Sequence, residues 1–231
     1  MSTFSAIILA GGSGKRMGGD IPKQYLPLAG KPLLYYPLNT FEHSAVDEII
    51  LVVAPGEEDY CRREFVDRYQ FTKVTAIVAG GAERYDSVYN GLQCATGDYV
   101  LVHDGARAFV TTEIIGNTMR EVEKCHACVV GVPVKDTIKQ VDSVGNVTAT
   151  PDRNTLWTVQ TPQAFARDLL VSSYKKILDQ KMTDITDDAM IVERAGNGPV
   201  KLVMGNYENI KVTTPEDMVY GEAILSHRLG S

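Results

Sequence analysis

The feature that most constrains this chain is a rhythm. Short runs of Val, Ile and Leu alternate with helix-length amphipathic stretches. Phe4–Ala10, Glu48–Val53, Val74–Val78, Tyr99–His103 and Cys128–Val132 read as strands. Their apolar residues run almost unbroken, as expected of strands covered on both faces. Between them, Pro32–His43, Glu57–Tyr69, Arg84–Cys94 and Thr112–Lys124 have the length and pattern of helices. Such alternation implies an α/β fold, a mostly parallel sheet with helices on both sides. Right-handed crossovers narrow the topology further.

The rhythm breaks after Pro133. Asp136–Gln140 and Val147–Thr150 are strand-like and are joined by a turn, Asp142 to Asn146, that carries Gly145-Asn146. A polar hairpin is marginal alone in water, so residues 135–150 are expected to protrude as an arm that finds a partner. The pattern returns with Arg167–Asp179, Asp187–Arg194, Val200–Met204 and Ile210–Thr213. Thr214-Pro215-Glu216-Asp217 then opens a last helix, with an N-cap, a first-turn proline and acids that suit the dipole. No repeat or linker splits the chain, so residues 1–231 are expected to form one domain bearing the arm.

Composition excludes several classes. A net charge of −6 and a pI near 5.3 argue against nucleic-acid or membrane-surface binding. No apolar run approaches the roughly 18 residues of a membrane span, and no signal-peptide pattern opens the chain, so the expected location is cytoplasmic. Cys125 and Cys128 form a C-x-x-C, but neither Cys61 nor Cys94 supplies a second close pair. The pair follows a helical stretch rather than opening one, so ordinary thiols are expected rather than zinc or redox chemistry.

The unusual polar stretches all sit after strands, where open α/β sheets bind ligands. Gly11–Lys23 follows the first strand, Ala79–Ser87 the third, His103–Arg107 the fourth and Pro133–Thr137 the fifth, with Lys211 near the last. The first loop fits neither familiar phosphate motif. Arg16 stands where a P-loop needs Ser or Thr, and Met17 where the dinucleotide fingerprint needs its third glycine. Yet glycines let backbone N–H groups approach phosphate oxygens, and Arg16 and Lys23 add charge-assisted donors. The converging cations are Arg16, Lys23, Arg84, Arg107, Arg153 and Lys211, and Asp104 is the best-placed carboxylate. Many cations with one acid suit a polyphosphate carrying magnesium, which takes few carboxylates. The alternative for Asp104 is a turn residue capping nearby N–H groups. His103 reads as a satisfied core histidine, and Ser87 lacks the partners of a nucleophile.

The stretches "GGSGKRMGGDIPKQYLPLAGKPLL", "GGAERYDSVYNGL", "VLVHDGAR", "GVPVKDTIK", "DRNTLWTVQTPQAF", "TDDA" and "NIKVTTPED" resemble, in order and over nearly the whole length, the 2-C-methyl-D-erythritol 4-phosphate cytidylyltransferase family. The resemblance implies a Rossmann-like sheet, magnesium, and transfer of CMP from CTP to the methylerythritol phosphate. It also implies homodimers whose arms reach toward the neighbour's site. By the same resemblance Ala10, Gly11, Gly12 and Gly14 wrap the CTP phosphates, and Arg16 and Lys23 act in the transition state. Gly80, Gly81, Arg84 and Ser87 belong to the cytosine-facing turn, with Asp104 and Gly105 at the nucleotide and Asp104 at the metal. Arg153 and Lys211 grip the acceptor phosphate, supported by Thr137 and Thr186. The chain departs from the family pattern at Ala10-Gly11-Gly12 and at Asp104-Gly105-Ala106-Arg107-Ala108. Both departures lean toward related sugar-phosphate cytidylyltransferases, so ribitol 5-phosphate stands as the alternative acceptor. A catalytically idle nucleotide-binding protein would have no need of Arg16, Lys23, Asp104, Arg153 and Lys211 together.

Overall fold

Successive side chains of a strand point to opposite faces of its sheet, and the first strand, β1 (Phe4–Ala10), uses both. The computed structural model describes residues 1–12, 22–180, 182 and 184–229. Ala6, Ile8 and Ala10 pack into one hydrophobic layer with α1 (Tyr35–Glu42), the helix opened by α2 (Glu58–Cys61) and α4 (Thr112–Cys125). Ile7 faces the other layer, formed by α3 (Arg84–Leu92), α5 (Arg167–Asp179) and α6 (Asp188–Ala195). Helices therefore cover both faces, which explains the unbroken apolar runs.

The remaining strands are β2 (Pro27–Leu28), β3 (Lys31–Pro32), β4 (Glu48–Val53), β5 (Val74–Ala79), β6 (Tyr99–Asp104), β7 (Ala127–Pro133), β8 (Gln140–Val141), β9 (Val147–Ala149), β10 (Trp157–Ala166) and β11 (Lys201–Met204). The central sheet has seven strands in the order β11-β7-β10-β6-β1-β4-β5. β1 is parallel to β4 and β6, with Leu9 opposite Asp104. β11 runs parallel to β7, whereas β10 is antiparallel to both β6 and β7. A last helix, α7 (Pro215–Leu229), closes a third apolar cluster of Leu28, Leu33, Phe109 and Val212.

Several boundaries depart from expectation. The first helix starts at Tyr35 rather than Pro32, because Lys31 and Pro32 pair with Leu28 and Pro27. The helix expected over Glu57–Tyr69 opens as α-helix and turns π-helical over Arg62–Asp67. Asp136–Gln140 is not a strand; only Gln140–Val141 pairs, opposite Val147–Ala149, and residues 135–149 are exposed throughout. Ile210–Thr213 is not a strand either. It lies beside the loop after β6, where one backbone bond, Val212 N–H to Ala106 O at 2.8 Å, replaces a ladder. Thr214 directly precedes α7, and Asp217 three residues on bonds back to it, as the third helical residue of a capping box does. Its carboxylate accepts from the Thr213 and Thr214 N–H groups at 2.7 and 2.9 Å.

Candidate active site

The chain places β4 and β5 on one side of β1 and β6 on the other. Such a reversal opens a crevice beyond the carboxyl ends of the two strands where it occurs. Here Ala10 and Asp104 end those strands, and a cleft of about 440 Å³ lies above them. Leu9–Gly12 form its floor, Gly81–Arg84 and Ser87 one wall, and Lys23, Gln24 and Lys211 the other.

Local bonds hold each wall. The buried Gln24 amide donates to Ala10 O at 2.6 Å, which brings Lys23 over the end of β1. Lys23 Nζ donates to Val212 O at 3.1 Å, so Lys23 and the segment carrying Lys211 meet. On the far wall, Gly80 N–H donates to Val53 O at 2.7 Å and Gly81 N–H to Ser87 Oγ at 3.0 Å. The Asp86 carboxylate accepts from Glu83 N–H at 3.1 Å, fixing the start of α3 under the turn. Gly105 N–H donates to Leu9 O at 2.8 Å, and a Cβ at 105 would lie 2.8 Å from that same oxygen. Glycine is what lets this loop close onto β1.

Asp104 is ion-paired through both of its oxygens. Asp104 Oδ2 meets Lys211 Nζ at 2.7 Å, and Oδ1 meets Arg84 Nε at 3.3 Å. Burial alone would raise the Asp104 pKa, but Arg84, Lys211 and Arg107 outweigh it and hold the carboxyl well below its usual range. Arg84 also meets Asp188 Oδ2 at 2.9 Å. Burial opposes the charge of Arg84, while Asp188 and Asp104 hold it firmly protonated. Behind Asp104 lies a buried relay. The Asp104 N–H donates to Thr161 Oγ1 at 3.1 Å, and Thr161 Oγ1 meets His103 Nδ1 at 3.0 Å. His103 Nε2 lies 3.1 Å from Arg107 O, which can only accept. Nε2 therefore carries the proton and Nδ1 accepts from Thr161. Burial pushes His103 down to about 4, so the ring is a neutral core histidine, as expected.

Of the residues singled out from the sequence, the cleft brings together Ala10, Gly11, Gly12, Lys23, Gly81, Arg84, Ser87, Asp104 and Lys211. Gly80 and Gly105 support it from the adjoining turns. Gly14 and Arg16 lie outside the described residues. Thr137 and Arg153 are exposed near the hairpin and do not line the cleft; Arg153 Nη1 donates to Lys135 O at 3.1 Å. Lys211 lines the cleft on Asp104, and Arg153 does not line it. Thr186 is exposed just before α6. Arg107 acts on Asp104 from behind and does not line the cleft; its guanidinium donates to Asn209 O at 2.8 Å and Val159 O at 3.3 Å. Gln24, Thr161 and Asp188 went unread. All three lie inside the family-like stretches, Gln24 in the first, Thr161 in "DRNTLWTVQTPQAF" and Asp188 as the second acid of "TDDA". Cys128 is buried in β7, which pushes its thiol up, and Cys125 ends α4.

The described residues contain no group of three or more His, Cys, Asp or Glu able to hold a metal by themselves. A divalent ion that takes most of its ligands from phosphates needs less. A carboxylate has about four lone-pair sites, and Arg84 and Lys211 engage one on each Asp104 oxygen. The donor set thus fits a phosphate-borne magnesium with Asp104 as its protein ligand.

A glycine-floored cleft at the switch point, with Lys23, Arg84 and Lys211 gathered around Asp104, suits a nucleotidyltransferase, and this chain is one. A family model described as 2-C-methyl-D-erythritol 4-phosphate cytidylyltransferase matches residues 4–227. The protein of that name from Lachnoclostridium phytofermentans is 50% identical over 226 residues, 97% of each chain. The one from Geobacter metallireducens is 47% identical, covering 99% of this chain and all of its own. The solved 4-diphosphocytidyl-2C-methyl-D-erythritol synthase of Anaerococcus prevotii superposes with a TM-score of 0.86 at 34% identity, covering 97% of this chain and 96% of that one. The Thermus thermophilus cytidylyltransferase superposes at 0.79 with 28% identity, covering 98% and 100%. The chain belongs to the 2-C-methyl-D-erythritol 4-phosphate cytidylyltransferase family.

Proposed function

We propose that this enzyme transfers CMP from CTP to 2-C-methyl-D-erythritol 4-phosphate and releases pyrophosphate, a step of isoprenoid precursor synthesis. The observation that carries this reading is the match to the family along residues 4–227, with a cationic cleft at the switch point.

The acceptor's phosphate oxygen attacks the α-phosphorus of CTP. The bond from that phosphorus to the α–β bridging oxygen breaks, and pyrophosphate leaves with the electron pair. A phosphate monoester is already largely anionic at neutral pH, so no strong base is needed. Positioning and neutralisation of spreading charge then supply the catalysis. Ala10–Gly12 cradle the triphosphate with backbone N–H groups, and Lys23 reaches the charge that develops between the α- and β-phosphates. Arg16 has the same role by its place in the loop. The Gly80–Ser87 turn receives the base. Lys211 lies where it can exchange Asp104 for a phosphate oxygen. Magnesium, bound to the triphosphate and held by Asp104, would neutralise phosphate charge. Arg153 and Thr137, exposed at the arm's base, suit an acceptor-phosphate site completed by a second copy of the chain, and we infer a homodimer. No described helix is long and apolar enough to cross a membrane, and dependence on CTP supports a cytoplasmic location.

Pyrophosphate release from CTP should be fast with methylerythritol phosphate, slow with ribitol 5-phosphate and negligible without acceptor. Preference for ribitol 5-phosphate would overturn the acceptor, and no release with either would overturn the activity.

A further inference from the structure

Asp188 is wholly buried at the first position of α6, and no chemistry described above uses it. Taking a carboxylate out of water costs several kcal/mol unless its partners are excellent. Its partners are elaborate. Tyr174 OH donates to Oδ1 at 2.6 Å. Gln163 Oε1 accepts from the Asp188 and Ala189 N–H groups at 3.0 and 3.1 Å, and Gln163 Nε2 donates to Asp187 at 2.9 Å. Oδ2 meets Arg84 Nη1 at 2.9 Å as a close ion pair without an aligned hydrogen bond. The opposite edge of Arg84 meets Asp104. Charge therefore alternates from the cleft inward: Lys211, Asp104, Arg84, Asp188. Arg84 and Asp104 line the cleft, and Asp188 does not.

We propose that Asp188 is a positioning residue for the nucleotide, pinning Arg84 from behind so that Arg84 and Asp104 both stay presented to the cleft; this rests on the CTP reading above. The guanidinium is a planar fork on a long flexible stem. Held at one edge by a buried acid, it is ordered before the ligand arrives, which lowers the ordering cost of binding. Released, it can turn its whole fork onto Asp104 as a bidentate pair. Both groups would then be withdrawn from the ligand.

A double-mutant cycle separates this from a role in stability alone. CTP with magnesium is titrated by calorimetry into wild type, Asp188→Asn, Arg84→Ala and the double variant. Asp188→Asn should weaken CTP binding about tenfold, and should change it less than about twofold when Arg84 is already Ala. Equal losses in both backgrounds, or no loss in the first, would overturn the proposal. Should Asp188→Asn show no cooperative melting, Tyr174→Phe replaces it in the cycle, because it removes only the hydroxyl that orients Asp188. An expected loss of about threefold must likewise vanish without Arg84, and a loss that persists overturns the proposal. A wild type that binds no CTP overturns the nucleotide reading itself, whereas additivity in a CTP-binding wild type overturns Asp188 alone.

Discussion

Lys23 earns its place through Gln24. The buried amide of Gln24 is tied to the end of β1, and the adjacent lysine is carried to the mouth of the cleft. A donor placed there and used mainly in the transition state contributes to turnover more than to binding. Lys23→Ala should therefore lower kcat by roughly 10²–10³ and leave CTP affinity, read by calorimetry, nearly unchanged. A variant with near-normal kcat would remove Lys23 from the chemistry. Arg153 sits elsewhere, exposed beside Lys135. Arg153→Ala should raise the KM for the acceptor about tenfold or more with CTP affinity unchanged; a loss of CTP affinity without acceptor present would move it to the nucleotide site. Ser87, uncharged, was reached through the family resemblance, whereas Asp104, Arg84 and Lys211 were legible as cleft residues because charges just after strands have few structural reasons to be there. Gln24, Thr161 and Asp188 were not, because each acts through a partner distant in the chain. Thr161 meets His103 across 58 positions, a pairing that no local pattern reveals.

At the scale of elements, the amino end of the strands, opposite the cleft, shows what stability alone requires. Glu48, buried at the start of β4, accepts from Ser5 Oγ at 2.6 Å, Thr96 N–H at 2.7 Å and Thr75 Oγ1 at 3.0 Å. It thereby joins β1, β5 and the approach to β6. Burial would raise its pKa, but these donors outweigh burial and lower it. A depressed carboxylate contributes stability that is complete above its ordinary value of about 4.3 and is lost as pH falls through the folded value below that. Glu48→Gln should cost about 1–3 kcal/mol at pH 7. The gap between variant and wild type, read by urea unfolding, should narrow as pH falls below about 4. A gap that stays constant with pH would mean the carboxylate's charge is not what stabilises this end of the sheet. Elements with a strong period were readable: β1, β4 and β6 are apolar runs that became central strands. β10 was not, because polar residues interrupt "WTVQTPQAFA" and Pro162 removes a ladder donor. Its pairing between β6 and β7 is imposed by the tertiary fold, and it breaks register between Val159 and Gln163.

For the whole molecule, the question is what covers the hairpin. β8 and β9 pair over only a few residues, Lys139 Nζ donates to Thr150 Oγ1 at 2.8 Å, and Asp142 gathers the turn. Val141, Val144 and Val147 are 57%, 79% and 58% exposed, and a lone two-stranded ribbon is marginal in water. Two-fold pairing with a second copy would cover the valines and the ribbon's free edges together. It would also bring Thr137 and the base of one arm toward the other subunit, where Thr137 and Arg153, which do not line the cleft of their own chain, would serve the neighbour's. Replacing Lys139–Val147 with a short Gly-Ser turn should yield a monomer in sedimentation, with an unchanged far-ultraviolet spectrum. CTP affinity should persist, because the cleft is built within one chain, while turnover falls with the lost acceptor contacts. A variant that remains dimeric would assign self-association to another surface, and a monomer with full turnover would detach the arm from the active site.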